Sequence, residues 1–201
     1  MQPKPSFAPE LRGALLAVSL GVSLSACADE ADPKEQPKAQ PTLAERIEAL
    51  AGCTPSDLVV LLPWEGPAFD PATSTLLEPL PAGHIEAVAT GWRIYEREAT
   101  ELRLEQGALV AADVFTRDGL LGFEGVESVQ CDISMSHTLW RDEASMMAFV
   151  TATPHATAMA NGRKMHHAFA GAHWTGEARA VAPTWKEGVD RMVKEVRADL
   201  E

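Results

Sequence analysis

This 201-residue chain has few cysteines and lacks the common sequence motifs of metal centres, thiol-redox sites and phosphate-binding loops. It has three cysteines and no Cys-x-x-Cys pair, and it lacks a second Cys/His pair at the spacing typical of zinc sites. It also lacks a glycine-rich phosphate loop. These absences argue against the common zinc, thiol-redox and nucleotide-phosphate motifs, so we expect neither a metal ion nor a cofactor.

Basic residues are also scarce. Beyond the first 27 residues, 15 Lys and Arg stand against 28 Asp and Glu, which is a formal charge of −13. Such a surface repels nucleic acid and anionic lipid headgroups, and no cluster of basic and aromatic residues offsets the repulsion. We therefore expect no nucleic-acid partner.

The N-terminus has the pattern of a secretory leader that ends at a lipidated cysteine. Lys4 and Arg12 precede an apolar run over residues 13–26, which is too short to span a bilayer as a stable helix. The run ends in Leu-Ser-Ala-Cys, which looks like a bacterial lipobox with Cys27 as the acylated residue. The alternative is an ordinary signal peptide, here residues 1–27, with a chance cysteine.

A lipid-anchored protein on the periplasmic side of the bacterial cell envelope follows from this pattern. No Asp comes directly after Cys27, which favours the outer membrane. Residues 28–41 are polar, charged and proline-rich, so they predict a disordered tether. Acyl chains on Cys27 would bind membrane lipid while the remaining 160 residues or so, enough for one domain, stand off the membrane.

The other two cysteines, Cys53 and Cys131, would lie in a compartment that permits disulfides. A bridge between them would tie the N-terminal segment to the sheet and stabilise the fold. Two buried free thiols are equally compatible with the sequence, because the sequence does not supply the geometry that a bridge needs.

Hydrophobic periodicity divides the rest into an N-terminal extension and a larger domain. The extension, residues 42–83, should begin with a short helix that Thr42 and Glu45 cap as a Thr-x-x-Glu box. An apolar run at 57–64 predicts a buried strand or extended segment, and the proline-rich stretch at 65–83 predicts a covering loop.

The domain at 84–201 is predicted to be α+β. Its elements are strands at 84–94, 119–128, 131–140 and 166–176, helices at 96–115 and within 141–159, and a last helix from Thr184. The order β-α-β-β-α-β is that of the ferredoxin-like split fold, with helices on one face of the sheet. The last helix follows as an addition to this fold.

Two stretches, 136–159 and 166–192, resemble small bacterial members of the antibiotic-biosynthesis-monooxygenase-like, dimeric α/β-barrel superfamily. In those proteins a strand ending near a tryptophan leads into an Asp/Glu-capped helix, and a later strand ends in His-Trp before a Pro-x-Trp helix start. The similarity covers roughly residues 84–195. The matching residues are Trp140, Asp142, His155, Met159, His173, Trp174, Pro183 and Trp185.

The resemblance implies a protomer whose sheet pairs with a second copy and whose pocket lies between sheet and helices. Some relatives oxygenate aromatic polyketides without a cofactor, some degrade haem, and many have no established activity. The haem-degrading members use a Trp and a His ten residues apart on the second helix, with an Asn on the first strand. Here Phe149 and Met159 take the two helix positions and the strand at 84–94 has no Asn, so we expect no haem chemistry.

Cofactor-free oxygenation requires a group that deprotonates a phenolic substrate inside a dry pocket. Each candidate also has a packing interpretation: His137 alternates with apolar residues along one strand face, and His155 lies one turn from Met159. His137 and His173 could approach each other only if they share a face of the sheet. The candidates are Trp92, His137, His155, Asn161 and His173.

Methionine and phenylalanine side chains of the second helical region either line an adaptable apolar cavity or form the helix-to-sheet core. These residues are Met146, Met147, Phe149 and Met159.

Two functions remain open. The one we favour is a membrane-anchored lipoprotein whose non-catalytic domain binds a small apolar ligand or forms a homodimer. The alternative is a cofactor-independent monooxygenase-like enzyme acting on a small aromatic or quinone-like substrate. The enzyme interpretation requires that His137, His173 and Trp92 converge on an accessible cavity.

Overall fold

A computed structural model describes residues 40 to 200 of the chain. The predicted leader 1–27, the acylated Cys27 and nearly all of the tether 28–41 lie outside these residues. Residues 40 to 201 make one compact unit, which has its own hydrophobic cores. No helix among residues 40 to 200 is both long and apolar enough to cross a membrane.

Within the described range the chain forms five α-helices and five β-strands. In chain order they are α1 Leu43–Ala51, β1 Val59–Glu65, β2 Ile85–Arg93, α2 Arg97–Val114, β3 Leu120–Ser128, β4 Ile133–Trp140, α3 Glu143–Val150, α4 Thr153–Met165, β5 His166–Thr175 and α5 Trp185–Leu200. The predicted strands of the ferredoxin-like domain and its helices at 96–115 and from Thr184 are confirmed to within a few residues. The helix predicted within 141–159 is instead two helices, α3 and α4, and α4 continues to Met165.

The five strands form one antiparallel sheet in the order β1-β3-β4-β2-β5. Strands β2 to β5 with helices α2 to α4 make the ferredoxin-like arrangement, so the predicted α+β fold class is confirmed. Strand β1 is added at the edge beside β3.

The prediction that the apolar run at 57–64 is buried was wrong. It forms the edge strand β1, where Val59, Val60 and Leu61 are 61%, 49% and 60% exposed. A run of apolar residues indicates a strand but does not say where in the sheet that strand pairs. The loop that follows does cover the sheet, because Phe69 and Leu80 are buried against Leu139.

Capping boxes begin the first and last helices as predicted. The side chains of Thr42 and Glu45 hydrogen-bond reciprocally to each other's backbone N–H groups at the start of α1. The same exchange joins Thr184 and Glu187 before α5, with N–H to oxygen distances of 2.6 and 3.3 Å. These short-range hydrogen bonds satisfy N–H groups that a helix leaves unpaired at its start.

The middle helices match the predicted caps only in part. Asp142 caps α3 by accepting the backbone N–H of Ser145 at 2.8 Å. Helix α4 begins differently, because its N-cap is Ala152 and no side chain makes a capping hydrogen bond there. Pro154 lies in the first turn, where a missing N–H carries no penalty.

Helices cover both faces of the sheet. We call the side under α2, α3 and α4 the cavity face and the side under α1 and α5 the closed face. On the closed face, alternate residues of β2 and β4 pack against Ile47 and Leu50 of α1 and Val189 and Met192 of α5.

The resemblance implies that the sheet pairs with a second copy. In this structure α1 and α5 of the same chain cover the sheet face opposite α2 and α4. A homodimer remains a prediction, but sheet-to-sheet pairing would first have to displace both helices.

A disulfide joins Cys53 and Cys131, which settles the alternative that the sequence left open. It links the end of α1 to the turn between β3 and β4, across a Cα–Cα distance of 6.1 Å. Among residues 40 to 200, the only group at metal-ligand distances is these two cysteines with Asp57. Since both sulfurs are bonded to each other, neither is a thiolate that could hold an ion.

Two helical glycines provide a paired test of this packing. A Cβ on Gly188 of α5 would lie 2.9 Å from Cε1 of His137 and 3.0 Å from Cγ2 of Val88, whereas a Cβ on Gly107 of α2 would meet nothing within 4 Å. Overpacking a core costs about 1–3 kcal/mol, and alanine gains about 1 kcal/mol over glycine inside a helix.

We therefore expect Gly188→Ala to lower the free energy of unfolding and Gly107→Ala to raise it by up to about 1 kcal/mol. Urea unfolding of the two variants would check both signs. Equal changes of the free energy of unfolding in the same direction would mean that a Cβ at position 188 does not clash with His137.

Candidate functional site

A cavity of about 770 Å³ lies between the cavity face of the sheet and helices α2 and α4. Helices α2 and α4 pack against each other. Pockets that hold small molecules are roughly 300–1,000 Å³ in volume and mainly apolar. The cavity has the volume of a small-molecule site.

Small side chains on adjacent strands explain why the cavity exists. Gly125, Ser136, Ala89 and Gly171 pair across β3, β4, β2 and β5 in one row, and all four line the cavity. Ala89 and Gly171 are exposed although Ala89 lies on the central strand β2. The helices that face the sheet also contribute small residues to the cavity lining: Gly107, Ala108, Ala111 and Ala158.

Aromatic side chains form part of the cavity wall. Phe149 stacks on buried Trp140 at 5.2 Å between ring centroids and contacts His155 at 4.7 Å. Phe149 and Met159 line the cavity, as the cavity interpretation of the sequence requires. Met146 instead belongs to the core, and Met147 is 42% exposed without lining the cavity.

His155 is the sequence-predicted candidate whose side chain reaches this cavity. Its Nδ1 lies 3.1 Å from the carbonyl oxygen of Val150, the geometry for donation of a hydrogen bond. Burial lowers the pKa of His155, so the ring is neutral at pH 7. With Nδ1 donating, Nε2 is the acceptor nitrogen of the ring.

Sequence reasoning missed His166 as a cavity residue. Its ring lies over Gly91, where an added Cβ would be 2.4 Å away, and its Nε2 is 3.2 Å from Oγ of Ser134. Burial and the nearby Arg103 guanidinium lower the pKa of His166 to about 4, so the ring is neutral. The signal in the sequence was Gly91 itself, a glycine inside a strand that marks close approach of another group.

Charged and amide groups from α2 and β3 complete the polar wall. Glu127 accepts hydrogen bonds from Arg93 at 2.9 Å and from Arg103 at 2.5 Å. Gln106, one turn after Arg103, lines the cavity and is 7% exposed. None of these side chains was a sequence-predicted candidate, because they come from three different elements, β2, α2 and β3, which only the fold brings together.

Trp92 and His137 lie on the closed face, away from the cavity. His137 is 1% exposed and contacts Trp64 at 5.0 Å, with Gly188 of α5 directly above it. Burial lowers the pKa of His137, and its ring nitrogens have no hydrogen-bond partner within the described residues. Trp92 is 3% exposed, with the Arg46 guanidinium 6.0 Å from its ring centroid.

His173 and Asn161 also lie apart from these residues. His173 is on the cavity face, half-exposed, with Nε2 3.8 Å from a carboxylate oxygen of Glu143. The condition for an approach of His137 and His173, a shared face of the sheet, is not met, because the two strands place them on opposite faces. Asn161 accepts a hydrogen bond from Lys164 at 3.0 Å and does not line the cavity.

A buried ionic cluster stabilises the closed face. Glu86 lies 3.1 Å from Nε2 of His84, 3.7 Å from Nε2 of His137 and 3.8 Å from Arg179. Burial raises the pKa of Glu86, but the two imidazoles beside its carboxylate outweigh burial and hold the pKa at about 2. Hydrogen bonding to Glu86 raises the pKa of His84. None of these side chains lines the cavity, so we assign them a structural role.

No family model matches the chain, and no curated protein matches it. Among solved structures it is similar to a conserved protein from Methanosarcina mazei Go1, with 10% identity and a TM-score of 0.43 over 48% of this chain and 95% of that one. A protein from Pseudomonas aeruginosa shows 15% identity and a TM-score of 0.41 over 48% and 97%. SnoaB, a cofactor-independent oxygenase from Streptomyces nogalater, shows 10% identity and a TM-score of 0.37 over 48% and 95%. Each neighbour spans about half of this chain, and likeness at this level does not assign an activity.

Proposed function

We propose that residues 40 to 201 are the ligand-binding domain of a lipid-anchored protein of the bacterial cell envelope. The observation that carries the proposal is the cavity of about 770 Å³ between the sheet and helices α2 and α4. Its floor is a row of small residues, and its wall combines Phe123, Phe149 and Val110 with a few polar groups. This is the composition of sites that bind small apolar molecules.

Two features support the envelope location. The pattern that ends at Cys27 is that of a lipoprotein leader. Independently, the disulfide between Cys53 and Cys131 suits an oxidising compartment such as the periplasm. In this proposal Cys27 carries the acyl chains, the anchor lies in the outer membrane and the domain faces the periplasm.

Binding without catalysis fits the arrangement best, because the predicted catalytic residues do not converge. The oxygenase alternative keeps one supporting observation, the neutral His155 whose Nε2 is the acceptor nitrogen beside the cavity. Oxygen consumption with a phenolic compound, lost in His155→Gln, would establish it. If the ligand binds and no oxygen is consumed, the result supports a binding domain without this oxygenase activity.

A cavity-filling substitution tests the proposal. Ala89→Leu adds three carbon atoms at the middle of the cavity floor, where Ala89 is exposed. We expect it to weaken binding of the fluorescent probe N-phenyl-1-naphthylamine at least tenfold, because the larger side chain fills part of the cavity and removes contacts to the probe. Fluorescence titration of the 40–201 unit measures the effect.

The matched control is Ala112→Leu, the same substitution at an exposed position of α2 that does not line the cavity. It should bind the probe as the wild type does. Equal loss in both variants, or no loss in Ala89→Leu, would place probe binding outside the cavity.

A further inference from the structure

The floor of the cavity carries a hydroxyl group that points toward the space a ligand would fill. Ser136 lies on β4 between Met135 and His137, and both neighbours pack toward α5 on the closed face. Because successive side chains of a strand point to opposite faces, the Ser136 side chain points to the cavity face. It lines the cavity together with Gly125 of β3 and Ala89 of β2, with which it pairs in register.

The Ser136 hydroxyl is accessible and unpaired, unlike the hydroxyls next to it on the same face of β4. Oγ of Ser134 lies 3.2 Å from Nε2 of His166, and Oγ of Thr138 accepts a hydrogen bond from Nε1 of Trp140 at 2.9 Å. Oγ of Ser136 hydrogen-bonds to no residue in the range 40–200, and it is not among the unpaired side-chain atoms that are sealed from solvent there. Since Ser136 is half-buried and points to the cavity face, this oxygen is open to the cavity.

A purely apolar ligand would cover this hydroxyl and leave it without a partner. Water hydrogen-bonds to an accessible hydroxyl when no ligand is bound. A ligand that displaces the water and offers no polar atom loses that hydrogen bond, which costs free energy. A ligand with a polar atom above Ser136 avoids the cost.

The number of available protons favours a carbonyl oxygen as that atom. A serine hydroxyl donates one proton and has two lone pairs. Its neighbours in the row, Gly125 and Ala89, have no side-chain acceptor for a second proton, so a ligand hydroxyl would leave one of the two O–H groups unpaired. A carbonyl oxygen accepts the Ser136 proton and leaves no donor unpaired, and buried donors without a partner are rarer in proteins than under-satisfied carbonyl oxygens.

We propose that Ser136 selects apolar ligands that carry an uncharged carbonyl group within the apolar body. The Oγ–H of Ser136 donates to the carbonyl oxygen, while the apolar parts of the ligand lie along the row of small residues from Gly125 to Gly171. A carboxylate does not belong to this class, because burying its charge in an apolar cavity costs more than one hydrogen bond returns. This inference rests on the proposed binding function and adds the chemical class of the ligand.

Three ligands with one skeleton test the selection. Valerophenone, 1-phenylpentan-1-ol and pentylbenzene differ only in carrying C=O, CHOH or CH2 at one carbon. Their affinities are measured by displacement of N-phenyl-1-naphthylamine from the 40–201 unit and from its Ser136→Ala variant. We expect the substitution to weaken valerophenone about tenfold and 1-phenylpentan-1-ol about threefold or less, with pentylbenzene unchanged or tighter. Comparing each ligand with itself in the two proteins removes the differences in hydrophobicity among the three.

An equal effect of Ser136→Ala on valerophenone and pentylbenzene would overturn the inference, as would a larger effect on the alcohol than on the ketone. Failure of all three compounds to displace the bound probe would overturn it as well. The proposed function would survive each of these results, because it is tested by the loss of probe binding in Ala89→Leu. If Ala89→Leu leaves probe binding unchanged, the binding function itself fails.

Two further variants separate the hydroxyl from other effects of the substitution. Ser136→Thr keeps a hydroxyl at this position, so it should recover most of the valerophenone affinity that Ser136→Ala loses. Ser56→Ala removes a hydroxyl at an exposed position outside the cavity and should change the affinity of none of the three ligands. A Ser136→Thr protein that binds valerophenone no better than Ser136→Ala would contradict a hydrogen bond from this hydroxyl.

Discussion

Loss of the disulfide between Cys53 and Cys131 is expected to lower the free energy of unfolding by about 4 kcal/mol. The bond spans 78 residues of sequence. In the loop-entropy account, a closure of this length restricts the unfolded chain strongly. It also fixes α1, whose Ile47 and Leu50 are 0% and 1% exposed in the closed-face core.

Such a loss is large against the total stability of a domain, roughly 5–15 kcal/mol. For a unit of this size it corresponds to a fall of about 10 °C in the thermal midpoint. Calorimetry of the oxidised and reduced 40–201 unit measures the shift without any substitution, because Cys53 and Cys131 are its only cysteines.

The double variant Cys53→Ala with Cys131→Ala supplies the control. Its midpoint should lie near that of the reduced wild type and should not change on addition of reductant. Equal midpoints for the oxidised and reduced wild type would contradict a stabilising role for the bond.

Burial of the Glu124 carboxyl is expected to lower the free energy of unfolding progressively as the pH rises from 4.5 to about 7. Glu124 lies on the closed face, paired in register with His137, and is 8% exposed with one carboxylate oxygen unpartnered within residues 40 to 200. Burial raises the pKa of Glu124 from 4.5 to about 7. The folded state therefore holds its proton over a pH range in which the unfolded chain has already released one.

The sign follows from proton binding. Below pH 4.5 the Glu124 carboxyl is protonated in both the folded and the unfolded chain, so it does not change the free energy of unfolding. Between pH 4.5 and 7 the free energy of unfolding falls as pH rises. Above pH 7 the loss stays constant at about 3 kcal/mol. Glu86 acts in the opposite sense, because its pKa of about 2 gives stability that is lost as pH falls below 4.5.

Glu124→Gln should remove most of the loss above neutral pH. We expect its free energy of unfolding at pH 8 to exceed that of the wild type by as much as about 3 kcal/mol, with convergence of the two near pH 4.5. Denaturant unfolding across pH 4.5–8 measures both curves. Parallel curves over this range would mean that Glu124 titrates as an exposed carboxyl does.

Local signals in the sequence were enough to predict most element boundaries. The Thr42 and Thr184 capping boxes depend on residues three positions apart, so they are visible without knowledge of the fold. The alternating pattern of β4 likewise predicted a strand. It did not show which face of the sheet each strand turns to its helices, so whether His137 and His173 share a face could be read only from the pairing of β2, β4 and β5.

The cavity depends on long-range register, which the sequence does not display. Gly125, Ser136, Ala89 and Gly171 come from four different strands, and each is unremarkable in its own segment. Only pairing brings them into one row and leaves space beneath α2.

Methionine methyl NMR provides the most direct test that the cavity is the binding site. Met159 and Met165 line the cavity, whereas Met146 lies in the core outside it and Met192 belongs to α5 on the closed face. On titration of the 40–201 unit with N-phenyl-1-naphthylamine, we predict saturable shifts of the Met159 and Met165 methyl signals, with Met146 and Met192 nearly unchanged. Saturable shifts confined to Met192, or no saturable shift at Met159 and Met165, would contradict the account.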